Sequence, residues 1–293
     1  MTQPWPHFAR FDAARVAERL AELYDVHLTV EGPCPGGEIG AAYVRWPDGR
    51  RSVLNSGSAR AADLLELVRA AGVPAPRYEL VAVADVDGST AVVQQRLPGS
   101  PPKVIDADLI DQMAGLNDRF AGLLAGHPEV PTVELHLSTD GPGFCLHEPL
   151  ATYSPRTARL LERIHAIGAT AAAMTGDDLV HMDFHPGNVL VDGARITGVV
   201  DWDGAARGDR HFDLVVLQFG LAGSAPHLAG RLDDRLARVA PQQLRSYWAH
   251  ISLRQVDWSI RHHDAADVDR WLTVAEAGFR RLDDSRGGIG PRM

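Results

Sequence analysis

The segment His181-Met182-Asp183-Phe184-His185-Pro186-Gly187-Asn188, with Asp201-Trp202-Asp203 a short way downstream, constrains the chain more than any other stretch. It sets three short polar side chains, Asp183, Asn188 and Asp201, beside the apolar runs Val189-Leu190-Val191 and Ile196 to Val200. A carboxylate beside a core is costly unless a cation or a proton neutralises it, so the pattern demands a ligand. Asp192-Gly193-Ala194 between the two runs is a strong turn signal, and residues 189–200 are expected to fold as a β-hairpin. That hairpin puts Asn188 at its entrance and Asp201 at its exit, which makes neighbours of residues thirteen apart in sequence. Two oxygen ligands can then face one divalent ion.

Phosphoryl transfer asks a protein for a carboxylate that takes the proton of the attacking hydroxyl, and for oxygen ligands that hold Mg²⁺ on nucleotide phosphates. Asp183 suits the first task, and Asn188 with Asp201 the second. Capping and turn formation are the ordinary uses of such residues. They explain neither the spacing nor the second acidic pair.

On these residues the chain resembles the aminoglycoside phosphotransferase and choline kinase-like family. The family pattern is His-Gly-Asp-x-x-x-x-Asn, an apolar hairpin, then Asp beside an aromatic or apolar neighbour; Met182 stands here at the glycine. The resemblance is close over residues 178–217 and diffuse elsewhere. It implies an α+β, two-lobed protein-kinase-like fold, with a small β-rich N-lobe over 1–97 and a mostly helical C-lobe over 98–293. It implies Asp183 as catalytic base, Asn188 and Asp201 as Mg²⁺ ligands, and Asp203 as an outer or second-metal acid. His181 is implied as a structural brace, and Asp213 matches the acid that braces the catalytic loop through backbone N–H groups. His185 receives no role.

The element order fits that architecture. An amphipathic helix is expected over Phe11 to Tyr24, strands over 26–30, 41–46 and 50–55, a helix over 59–71, and strands over 79–84 and 90–96 joined through Asp87-Gly88. Gly36, Gly37 and Gly40, in Gly36-Gly37-Glu38-Ile39-Gly40, are expected to cover nucleotide phosphates, because glycines let backbone N–H groups approach phosphate oxygens without a side-chain clash. The breaker cluster Leu97-Pro98-Gly99-Ser100-Pro101-Pro102 marks a hinge, with Gln95 to Leu97 offering backbone to adenine. Beyond it, helices are expected over 108–124, 157–174, 210–221, 242–261 and 266–282.

One feature of the family is missing. Kinases of this fold carry a lysine on the third strand that contacts the α- and β-phosphates and pairs with a glutamate on the next helix. The sole lysine here is Lys103, and the family's lysine position falls on Asn55. Three consequences are open: Arg51, on the same strand face as Asn55, or Arg45 on the neighbouring strand supplies the charge, with Asp63 or Glu66 as acidic partner; nucleotide is held mainly through Mg²⁺ and the glycine loop; or nucleotide is not used.

Hydrophobic content of 45% with 23% charge is that of a folded globular protein. A net charge of −9 without a basic tract argues against nucleic acid as partner. No apolar stretch approaches the roughly 18 residues of a membrane span, and Met1 to Arg10 lacks a basic then apolar leader, so no membrane partner and a cytoplasmic location are expected. Two cysteines, Cys34 and Cys145, make neither a disulfide framework nor a zinc site.

Seven of the nine excess negative charges fall in residues 98–293, where the family binds its acceptor, and an acidic surface attracts a cationic one. Asp257, Asp264, Asp267 and Glu276 are the acceptor-binding candidates, while Trp258 and Trp271 read as core. The expected activity is transfer of the γ-phosphoryl group of ATP or GTP to a hydroxyl of a cationic antibiotic, an aminoglycoside or a basic cyclic peptide of the viomycin and capreomycin kind, conferring resistance. Two alternatives stay open: a small-metabolite kinase acting on choline, homoserine, a sugar or a fructosamine, and a non-catalytic pseudokinase binding module.

Overall fold

The computed structural model describes residues 10–37, 39–84 and 90–287. Glu38 of the glycine loop and the expected Asp87-Gly88 turn lie outside them. In chain order the elements are α1 (Ala13–Tyr24), β1 (Thr29–Pro33), β2 (Ala42–Arg45), β3 (Arg51–Ser56), α2 (Arg60–Ala70), β4 (Tyr78–Val83), β5 (Thr90–Gln95) and α3 (Ala107–Asp118). There follow α4 (His147–Tyr153), α5 (Pro155–Gly168), β6 (Asp178–Val180), β7 (Val189–Asp192), β8 (Arg195–Val199), β9 (Ala206–Gly208) and α6 (His211–Ser224). Two short helices, α7 (Pro226–Ala229) and α8 (Asp233–Leu236), lead to the long α9 (Pro241–His262) and α10 (Ala265–Gly287). Among the described residues no helix is long and apolar enough to cross a membrane.

The chain divides into two compact units, one from residues 10–126 and 183–205, the other from 127–182 and 206–287. The first is β-rich and the second helical, the α+β class expected. The β7–β8 hairpin groups with the sheet rather than with the helices that follow it in sequence.

In the first unit a five-stranded antiparallel sheet runs β1-β2-β3-β5-β4. Strand alternation sends Val44, Leu54, Ala82, Ala91 and Val93 to one face, where Val16, Ala17 and Leu20 of α1 cover them. Each of the leucines is fully buried, and that burial contributes roughly 1.5–3 kcal/mol per side chain. Asp12 caps α1 by accepting the N–H of Arg15 at 3.1 Å, and Asp25 ends it in a left-handed turn. The first strand begins at Thr29 rather than Val26, because Val26 and Leu28 pack against the core and the ladder starts where Arg45 faces Thr29.

The hairpin is pinned to this unit from several sides. Ser100 and Val191 exchange backbone hydrogen bonds of 3.1 and 2.8 Å, and the N–H of Val199 donates to Pro74 O at 2.7 Å. Gln112 of α3 donates to Ala194 O at 2.8 Å and accepts from the N–H of Ile196 at 3.1 Å. Below it, the Phe120 ring meets Phe184 and Trp202 edge-on at 5.7 and 6.0 Å.

The second unit gathers its helices around aromatic rings seated over glycines. Trp248 of α9 lies against Gly278 of α10, where a Cβ would stand 1.9 Å from the indole, and its Nε1 donates to Ala275 O at 3.0 Å. Phe219 of α6 packs on Trp248 and Trp271, with centroids 5.0 and 5.5 Å apart. The short α4, β6 and β9 carry too few residues for a periodic signal and have no counterpart in the sequence reading.

Two predictions follow from this packing. Gly278→Ala should lower stability by about 1–3 kcal/mol through overpacking against Trp248, outweighing alanine's helix advantage of roughly 1 kcal/mol, and an unchanged urea midpoint would contradict that contact. His250 is fully buried, its Nδ1 accepts from the N–H of His136 at 3.1 Å, and its Nε2 faces Cys145 Sγ at 3.8 Å. Burial, followed by the nearby Arg254 and His136, pushes its pKa down to about 3 from 6.5. Between those values the unfolded chain binds the extra proton, so this contribution to stability is complete above pH 6.5 and is lost as pH falls. Acidification from pH 7.5 to 5 should cost about 2 kcal/mol through this residue, and urea titrations of His250→Asn should show a correspondingly flatter pH dependence.

Candidate active site

The segment that leads to Asp183 starts on a buried carboxylate. Asp213, in the first turn of α6 and fully buried, accepts the N–H of His181 at 2.7 Å and of Met182 at 2.9 Å. Met182 then takes φ +74, a left-handed conformation that glycine adopts freely and a long side chain does not, at a cost of about 1–2 kcal/mol. The carbonyl of Met182 accepts from Arg254 Nη1 at 2.5 Å.

Past this point the chain enters a 3₁₀ turn at Pro186–Asn188. Asn188 Nδ2 donates to the Asp183 carbonyl and to Asp183 Oδ2, both at 2.9 Å, so the two residues meet directly. His185 takes part as well, contrary to the sequence reading that left it without a role. Its Nδ1 accepts the N–H of Gly187 at 3.0 Å, which leaves the proton on Nε2, 3.3 Å from Asp183 Oδ2. The hairpin closes with the N–H of Val200 donating to Asn188 O at 2.9 Å, which fastens Asn188 to the residue before Asp201. Asp201 also has a positive φ, +66, tolerated better by a short polar side chain.

Asp203 is tied back into the sheet. Its Oδ1 accepts the N–H of Ser58 at 3.1 Å and the hydroxyl of Tyr78 at 3.3 Å. Burial raises its pKa against the pull of those two bonds, and the phenol of Tyr78 is pushed well up by burial, then by Asp203 and Asp201. These contacts make Asp203 an anchor of the hairpin exit. Ser58 and Tyr78 gave no local sequence signal, because both reach Asp203 across more than a hundred residues.

Gly36, Gly37 and Gly40 all have positive φ, +80, +73 and +95, the backbone freedom a phosphate-covering loop requires. Gln95 uses its N–H on Arg77 O at 2.8 Å, and Leu97 reaches the hairpin at Gly198. Arg51 and Arg45 both pair with Glu31, each at 3.1 Å. Asp63 is exposed and Glu66 pairs with Arg69. Asn55, where the family's lysine is expected to fall, has a buried Oδ1 with no hydrogen-bond partner among the described residues. An orphaned acceptor there fits a ligand that brings a hydrogen-bond donor.

The donor set also fits a nucleotide-bound divalent ion. Among the described residues no three His, Cys, Asp or Glu side chains form a metal cage. Mg²⁺ carried by phosphates needs only one or two protein oxygens, and Asn188, with Nδ2 engaged on Asp183, has its oxygen to offer beside Asp201.

Each of the four acids expected to bind an acceptor is engaged within the protein. Asp257 is fully buried, held by Arg261 through two bonds of 2.8 and 2.9 Å, and accepts the N–H of Leu146 at 3.0 Å. Glu276 takes two bonds from Arg156, at 2.8 and 2.9 Å, which hold its carboxyl below the ordinary range. Asp267 pairs with His263 at 3.1 Å and with Arg270, while Asp264 caps α10 on the N–H of Asp267 at 3.0 Å. Each acid thus serves its own helix or a neighbouring one.

The sequence pattern of the phosphotransferase enzyme family matches residues 49–247. None of the curated proteins matches the chain. Among solved structures, a thermostable mutant of aminoglycoside phosphotransferase APH(4)-Ia in a ternary complex with ADP and hygromycin B is similar over 94% of this chain and 99% of its own, with TM-score 0.62 and 18% identity. The amicoumacin kinase hAmiN, in complex with AMP-PNP, Ca²⁺ and Ami, covers 92% of this chain and 94% of its own at TM-score 0.59 and 16% identity. A putative fructosamine-3-kinase from Thermobifida fusca YX-ER1 covers 92% and 100% at TM-score 0.55 and 15% identity. These likenesses establish the protein-kinase-like fold, and the family match over more than half of its length makes this chain a member of the phosphotransferase enzyme family.

Proposed function

We propose that the protein transfers the γ-phosphoryl group of ATP or GTP to a hydroxyl of a cationic antibiotic, an aminoglycoside or a basic cyclic peptide, and so confers resistance. The observation that carries the chemistry is the direct hydrogen bond between Asn188 and Asp183 at the hairpin entrance. Asp183 accepts the proton of the acceptor hydroxyl as that oxygen attacks phosphorus, and the donors on Oδ2 from Asn188 and His185 fix how its carboxylate is turned. Asn188 and Asp201 would hold Mg²⁺, which when bound supplies positive charge against the phosphate oxygens. The glycine loop lends backbone N–H groups to the phosphates, and Asn55 offers a neutral amide where kinases of this fold use a cation.

The acceptor class draws support from the acid excess of residues 98–293 and from the fold shared with the enzymes seen with hygromycin B and amicoumacin. Kinship in fold with a fructosamine kinase keeps metabolite phosphorylation as the rival reading. Mass spectrometry after incubation with Mg·ATP or Mg·GTP decides between them: a phosphoryl mass gain on an aminoglycoside, viomycin or capreomycin supports the proposal. Product formed only on choline, homoserine, a sugar or a fructosamine overturns the antibiotic assignment.

With the acceptor in hand, Asp183→Asn should lower turnover by about 10²-fold to 10⁴-fold at nearly constant melting temperature, and an unchanged rate would remove Asp183 from the mechanism. Asn188→Ala and Asp201→Ala should each abolish most of the Mg²⁺-dependent rise in melting temperature produced by nucleotide. Retention of the full shift in both variants would place the metal elsewhere.

A further inference from the structure

We infer that Arg254 is a positioning residue for the catalytic segment, doing with a side chain what a glycine at position 182 would do through backbone freedom. The inference rests on the phosphotransfer reading for its catalytic consequence, though the contact itself stands apart from it. Met182 is the residue before the candidate base, and its φ of +74 is one that a long side chain rarely adopts. Such a residue persists when both flanking peptide planes are held. Asp213 holds the plane before it through the Met182 N–H, and Arg254 holds the plane after it through the Met182 carbonyl. The second plane is the peptide bond to Asp183 itself. Loss of the Arg254 contact frees ψ of Met182, and a turn of that angle swings the whole of Asp183.

Arg254 is itself well placed to act as a fixed point. It belongs to a stripe on α9, Tyr247, His250, Arg254, Asp257 and Arg261, spaced three and four residues apart so that all lie on one helix face. Three other members also bind main chain: His250 accepts from the N–H of His136, Asp257 accepts from the N–H of Leu146, and Arg261 donates to Gly143 O at 3.2 Å. Tyr247 donates to Asp209 Oδ2 at 2.9 Å. The stripe is a row of anchors for irregular backbone, and Arg254 is the anchor assigned to the catalytic segment.

The test compares the unaltered protein with Arg254→Ala, Arg254→Lys, Met182→Gly and the double variant Arg254→Ala/Met182→Gly. Hydrogen exchange is followed by mass spectrometry in peptides covering 178–188, and slow hydrolysis of Mg·ATP, with water replacing the acceptor, gives kcat and KM. Arg254→Ala should speed exchange of these amides and lower kcat by about tenfold to 10²-fold, with KM for Mg·ATP nearly constant. Arg254→Lys should recover part of the kcat. In the glycine background, loss of Arg254 should cost several-fold less kcat than in the methionine background. Equal losses in both backgrounds, or unchanged exchange in Arg254→Ala, overturn the inference. If the unaltered protein hydrolyses no nucleotide, kcat and KM are measured with the acceptor that gains a phosphoryl group; lack of any product overturns the phosphotransfer reading, while the exchange data alone decide whether Arg254 holds the segment.

Discussion

Asp213 is a carboxylate shut away from solvent, and two successive backbone N–H groups end on it. Either side of that contact would be destabilising alone: a buried charge without donors, or buried amides without an acceptor. Together they are mutually satisfied, and the first turn of α6 adds the favourable field of a helix N-terminus around the anion. The direction of the chain into Asp183 follows from this. A loop that must present one carboxylate cannot be left to find its path through weak surface contacts.

Further along, the same economy of polar contacts recurs. Asp209 accepts from the N–H and Nδ1 of His211 at 3.0 and 2.6 Å and from Tyr247 at 2.9 Å, and although burial alone would raise its carboxyl, the hydrogen bonds from His211 and Tyr247 hold it below the ordinary carboxylate range. The hairpin that carries Asn188 to Asp201 is fixed by Gln112, Ser100 and Pro74 through main-chain bonds, with Phe120 beneath. Apolar burial supplies the bulk of the stability in both units, but the placement of the chemical groups depends on hydrogen bonds to backbone.

What the sequence made legible was local and periodic. The Asp-Gly turn between apolar runs located the hairpin, and helical stripes located α1, α6, α9 and α10 to within a few residues. The sequence placed Asn188 next to Asp201 through that hairpin, but carried no signal for the hydrogen bond from Asn188 to Asp183 in the turn before it. Long-range partners were not legible: Ser58, Tyr78 and Arg254 are ordinary residues until the fold delivers them. The partners of the acceptor candidates were legible in part. Asp257 with Arg261 stands at i,i+4, a spacing that favours pairing along one helix, and Asp264 sits where a helix cap belongs, so both had structural uses that the sequence already contained.

Asn55 carries an implication for how such a site responds to its medium. An ammonium group beside phosphates attracts them over a distance and loses that attraction as counterions crowd in, whereas an amide acts only at contact. If nucleotide is held there through Asn55 and backbone dipoles, its retention should vary less with ionic strength than in kinases that place a lysine at that position.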